Sequence, residues 1–173
     1  MKTQNPINIY IVEDNNVFAL SLKAYIKTAY TNQLIQISLF ETGEACMIKF
    51  KEEKPLVVIL DYHLNSLHPE AVDGIEVLDL IKKESPDTNV VILTSDDNID
   101  IAIKSFKHGA CDYVIKSETQ FMQINYSLLN IFKIIKEKSE IVKYKYIVKL
   151  FMIFIGVQLG IVLILILRAM FAH

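Results

Sequence analysis

Cysteine is scarce in this chain: Cys46 and Cys111 are the two present among 173 residues. Their spacing matches no metal-binding pattern. In a reducing compartment a disulfide between them is disfavoured, so both are expected to be free thiols behaving as small apolar residues. No internal repeat and no low-complexity linker is present, which leaves one domain plus an appendage as the reading of this length. The opening "MKTQNPINIYIVEDNN" lacks the long uninterrupted apolar core of a signal peptide, and none is expected there. Glycine and proline are absent from "IIKEKSEIVKYKYIVKLF" (134–151), so nothing in it stops a helix.

Apolar residues, by contrast, make up 52% of the chain, and their excess lies near the C-terminus. "LFMIFIGVQLGIVLILIL" (150–167) holds no charge, with Gln158 as its strongly polar member. At about 1.5 Å per residue it reaches roughly 27 Å, and it is apolar all round rather than on one stripe. A transmembrane helix over 150–168 is therefore expected, with a short tail at 169–173. Residues 1–118 carry 11 lysines against 18 acids, whereas 119–149 carry six lysines against two glutamates. By the positive-inside rule the N-terminal region stays in the cytoplasm, as a single-pass C-terminal anchor of the inner or cytoplasmic membrane. The basic stretch at 139–149 is expected to be a juxtamembrane helical extension able to meet anionic lipid.

Upstream, short apolar runs alternate with helix-period stretches. Strands are expected at 7–12, 34–40, 56–60, 90–93 and 112–115. Helices are expected at 16–29, 42–52, 75–83, 99–107 and about 118–138. Five strand–helix units in succession imply an α/β fold with a parallel sheet covered by helices on both faces. "LVVIL" and "VVIL" are unbroken apolar runs, as central strands buried on both sides require.

Four of those runs end in a chemically distinctive residue: Glu13 and Asp14 after the first, Asp61 after the third, Thr94 after the fourth, Lys116 after the fifth. The carboxyl ends of parallel strands share one edge of the sheet, so these residues should converge. Three clustered carboxylates repel unless a cation intervenes, and all-oxygen donors suit a hard ion, Mg²⁺ above all. An Asp beside such an ion can attack phosphorus, while a lysine and a hydroxyl hold the remaining oxygens. Taken singly, Asp14 reads equally well as a helix N-cap, Thr94 as a strand-end hydroxyl and Lys116 as a solvated charge.

As a set, "IYIVEDN", "VVILDYHL", "VDGIEVL", "VVILTSDD" and "HGACDYVIKS" resemble the receiver domain of two-component response regulators, over about residues 6–135. The resemblance implies a flavodoxin-like doubly wound sheet of order 2-1-3-4-5 with five helices, in a receiver domain spanning 1–138. It implies Asp61 as phosphoacceptor and Mg²⁺ held by Asp14 and Asp61, by Glu13 through water and by the backbone carbonyl of His63. Thr94 and Tyr113 would be the switch pair, Lys116 would bind phosphate, and His63 and Asp96 would modulate hydrolysis. The implied phosphodonor is a histidine kinase or phosphotransfer protein, and the domain is a signalling acceptor rather than an enzyme.

Two departures stand out. Ser117 replaces the proline that usually follows the lysine, and the loop from Asp61 to Gly74 is about five residues longer than usual, with Asn65 where a proline is common. His63, His68 and Glu70 in that loop lack zinc-site spacing, so a solvated loop altering partner access is expected. No DNA-reading module follows the fifth helix, and no nucleic-acid partner is expected. Gly156 and Gly160, four apart, permit close helix approach and a homodimer within the membrane. Of the rival readings, a haloacid-dehalogenase-like phosphatase wants an acid where His63 stands. A flavodoxin wants a glycine-rich phosphate loop where "EDNNVF" stands. A phosphorylation-independent membrane scaffold is the remaining alternative.

Overall fold

The computed structural model describes residues 6–64 and 72–171, without the side chains of 161–163, 165, 166 and 168–171. The element order is β1 (Ile7–Val12), α1 (Asn16–Ala29), β2 (Ile35–Phe40), α2 (Gly43–Glu52) and β3 (Val57–Asp61). There follow α3 (Gly74–Glu84), β4 (Asn89–Thr94), α4 (Ile99–Lys107), β5 (Asp112–Ile115) and α5 (Gln120–Phe171). The five strands form one sheet in the order β2-β1-β3-β4-β5, every pairing parallel. This is the expected flavodoxin-like α/β topology.

Strand alternation divides the core into two layers. Tyr10 and Val12, Val58 and Leu60, and Val90 and Ile92 share a cluster with Phe50 of α2 and Leu78 and Ile81 of α3. The intervening residues, such as Ile11, Ile59 and Val91, are equally buried and point to the opposite side. There Leu22 and Ile26 of α1 and Ile124 and Leu128 of α5 are also buried. A sheet covered on both faces has no polar side to offer solvent, which is why the central strands read as continuous apolar runs.

Helix starts are set by side-chain caps. Asn15, Thr42, Asp73 and Asn98 each accept a hydrogen bond from a backbone amide of the first turn. Gly109, at the turn from α4 into β5, has φ +96°, a left-handed conformation that a side chain would strain. Gly74 is required for another reason. A Cβ there would lie 2.7 Å from Tyr62 Cα and would collide with the carbonyl oxygen of Asp61. The Asp-Gly pair thus lets α3 start hard against the backbone that carries Asp61.

The chain divides into two compact units, 1–129 and 130–173, and α5 supplies the second. The transmembrane helix expected at 150–168 is not supported by the described residues: among them no helix is long and apolar enough to cross a membrane. The segment is helical, but six of its side chains fall outside the described set, so the described apolar run stops short of a span. In the long loop, Asn65, His68 and Glu70 lie outside the described residues. Its far end is tied down where the Val72 amide donates to Glu44 Oε1 at 3.0 Å, which holds the Glu44 carboxyl below its usual range.

Candidate phosphoacceptor site

The parallel sheet brings the expected residues to one edge. Glu13 and Asp14 follow β1, Asp61 ends β3, Thr94 ends β4 and Lys116 follows β5. Glu13, Asp14, Asp61 and Lys116, together with His63, line an open cleft of about 640 Å³. Ligand oxygens of Glu13, Asp14 and Asp61 all lie within 4.8 Å of one another, and all three residues are buried. Three carboxylates without sulfur or imidazole, converging beside a solvent-open cleft, fit a hard divalent cation with room for water.

Lys116 is the charge that holds this cluster together. Its Nζ lies 2.8 Å from Asp61 Oδ2 and 2.8 Å from Glu13 Oε2, while its ammonium sits 5.1 Å from the centre of the Phe18 ring. Burial pulls the lysine pKa down, but Asp61 and Glu13 more than offset this and leave it above its usual value. Glu13 moves the other way for a carboxyl. Burial first, and then the neighbouring Asp61 charge, raise it to about 7, against the pull of Lys116. One lysine therefore does not neutralise the cluster, and a further positive charge would be bound favourably.

Asp61 is oriented from behind by the His63 amide, which donates to its Oδ1 at 3.3 Å. The His63 ring turns outward and its Nε2 lies 2.8 Å from Asp96 Oδ2. Asp96 also links the other two switch residues. Its amide donates to Thr94 Oγ1 at 3.1 Å, and its carbonyl accepts from the Tyr113 hydroxyl at 2.8 Å. Burial, and then the charges of Asp96 and Asp97, raise the Tyr113 pKa, so this hydroxyl stays a donor. Thr94 and Tyr113 are not among the residues that line the cleft. The turn that carries Ser117 is closed by Gln120 donating its amide to the Ser117 carbonyl at 3.2 Å. Gly156 and Gly160 belong to the second unit and not to the acid cluster, and among the described residues nothing beyond the helix's own backbone lies within 4 Å of where a Cβ would stand at either.

Sequence reasoning missed Glu41 and Ser95, which also line the cleft. Glu41 directly follows the last residue of β2, so the strand-end rule that selected the other acids would have found it. Ser95 follows Thr94 and would have been found in the same way. Asn15 was missed as the α1 cap, and Phe18 as the ring beneath Lys116.

Comparison with known proteins agrees with this geometry. The response regulator receiver domain model matches residues 9–124. The chain is 30% identical over 106 residues to the regulatory protein LuxO of Vibrio cholerae, a match covering 61% of this chain but only 21% of that one. Among solved structures, the signal receiver domain of a protein described as a Luxo repressor from Vibrio parahaemolyticus superposes with TM-score 0.67. It is 26% identical, covering 79% of this chain and 98% of that one. The Mn²⁺-bound form of response regulator Rcp1 superposes with TM-score 0.59 at 25% identity, covering 69% of this chain and 89% of that one. With its strand order, acid cluster and lysine in place, the chain belongs to the response regulator receiver domain family.

Proposed function

We propose that this chain is a phosphoacceptor switch in which Asp61 takes a phosphoryl group from a phosphohistidine of a histidine kinase or phosphotransfer protein. The carrying observation is Lys116 Nζ, 2.8 Å from both Asp61 Oδ2 and Glu13 Oε2, at the floor of an open acidic cleft. Receiver domains are signalling modules, and the reaction proposed is transfer onto the protein itself. An Asp61 carboxylate oxygen forms the bond to phosphorus as the phosphorus–nitrogen bond of the donor breaks, and the departing imidazole takes up a proton. Glu13, Asp14 and Asp61, with the His63 carbonyl, would hold Mg²⁺. When bound, that ion supplies positive charge to the carboxylates and to the phosphoryl oxygens.

The chain's own groups do the rest. Lys116 exchanges its Asp61 oxygen for a phosphoryl oxygen and keeps its ion pair with Glu13. The Thr94 hydroxyl turns to another phosphoryl oxygen and so gives up the Asp96 amide. Because the Asp96 carbonyl holds Tyr113, loss of that bond frees the aromatic ring and the loop before α4 together. The His63–Asp96 pair stands where it can limit the approach of hydrolytic water.

A membrane location is part of the same reading. It is supported by the charge-free sequence 150–167 and the lysines preceding it. The anchor would confine the switched face of the domain to the membrane surface.

Incubating the protein with Mg²⁺ and a small acyl phosphate donor, then weighing it intact, tests the switch. One added phosphoryl group, absent without Mg²⁺ and absent in Asp61→Asn, is the expected result. No gain under any condition would favour a phosphorylation-independent scaffold.

A further inference from the structure

We infer that the second unit of α5 pairs in parallel with the same helix of a second copy of this chain, along a seam through Ile134, Ile141, Val148 and Ile155. These four residues recur every seven positions and all are β-branched. In parallel two-stranded coiled coils β-branched residues occupy the first core position, there combined with leucine at the second. All four are exposed on the isolated helix. Three residues further on, the second core position carries Glu137, Tyr144, Phe151 and Gln158. Tyr144 and Phe151 are 67% and 63% exposed among the described residues.

The polar members of the seam also point to a matching helix. Gln158 is the strongly polar residue of the otherwise apolar stretch 150–167, and it falls on this face. A side-chain amide both donates and accepts, so two copies of Gln158 satisfy each other across the pair. Glu137 would enter a hole whose wall includes Lys138 of the second copy, since a knob at that position contacts the residue following its counterpart. Beside the seam, Glu140 of one copy faces Lys145 of the other, the favourable flanking pair of a parallel coiled coil. Glu140 now bonds Lys143 on its own helix at 2.7 Å, with both side chains exposed, and such a pair exchanges partners at little cost.

Helical geometry places Gly156 and Gly160 on the side opposite Ile155 and Gln158. The heptad seam and the glycine pair are therefore different faces, and an experiment separates them. Single cysteines are introduced into the full-length chain as Ile134→Cys, Ile141→Cys, Tyr144→Cys or Val148→Cys. Lys136→Cys, Ser139→Cys and Lys143→Cys probe the outward face, and Gly156→Cys and Gly160→Cys the glycine face. Cys111, which is exposed, is replaced by Ser in every variant and in the control without an added cysteine, and Cys46 is buried. After mild oxidation, disulfide-linked dimer should peak at the seam positions and fall to the control level on both other faces. Glu140→Lys should lower the yield of the Ile141→Cys dimer, and adding Lys145→Glu should restore it. A flat profile, a peak on the outward face, or cross-linking confined to the glycines overturns the seam. No phosphodonor is present, so failure here leaves the Asp61 chemistry untouched.

Discussion

Glu13 shows most clearly how the site stores electrostatic tension. Its carboxyl is 1% exposed, faces Asp61, and has its pKa raised from 4.5 to about 7. A raised folded-state pKa means that the folded protein binds this proton more tightly than the unfolded chain. The stability it contributes is present below pH 4.5 and is lost as pH rises through about 7. In chelator, urea denaturation should therefore show stability falling from pH 5 to pH 8, by up to about 3 kcal/mol from this group. Glu13→Gln should flatten most of that fall. An unchanged pH dependence in the variant would show that Glu13 is not the strained group. Lys116 relieves only part of the strain. Its two ion pairs cross 103 and 55 positions of sequence, a convergence that strand-end reasoning could anticipate but whose resting partners it could not.

Among the elements, β1, α1, α4 and β5 have the bounds expected from apolar patterning alone, because each is delimited by its own polar cap or turn. The bounds of α2 and α3 shift because Thr42 and Asp73 serve as caps outside the helices rather than as members or distant neighbours. β3 and β4 each extend through the functional residue, Asp61 or Thr94, since pairing with neighbouring strands continues past the apolar run. The bonds that Asp96 makes to Thr94, Tyr113 and His63 were not legible, because they depend on loop conformation and not on periodicity. Gly74 was legible as half of an Asp-Gly pair, but its reason lies in the close approach of α3 to Tyr62. Gly74→Ala should cost about 2–4 kcal/mol, since backbone on both sides must move. Thermal melting measures this directly, and phosphorylation should slow with it as Asp61 is displaced. A variant with wild-type melting would mean that the backbone there has room for a methyl group.

At the scale of the whole molecule, this chain spans about a fifth of the length of the LuxO protein it matches. The anchor reading predicts that the full-length chain stays in the membrane fraction through both high-salt and alkaline washes. Release by salt alone would reduce the C-terminal region to a lysine-rich surface contact. A paired α5 and a phosphoacceptor site would together give a membrane-held switch, but the site chemistry is the claim on which the rest depends. Its most direct test is to phosphorylate the full-length protein in Mg²⁺, reduce the product with borohydride and sequence its peptides by mass spectrometry. An aspartyl phosphate is converted to homoserine by this treatment. The account predicts homoserine at position 61 and nowhere else. Homoserine at Asp14 or another aspartate, with Asp61 intact, would contradict it.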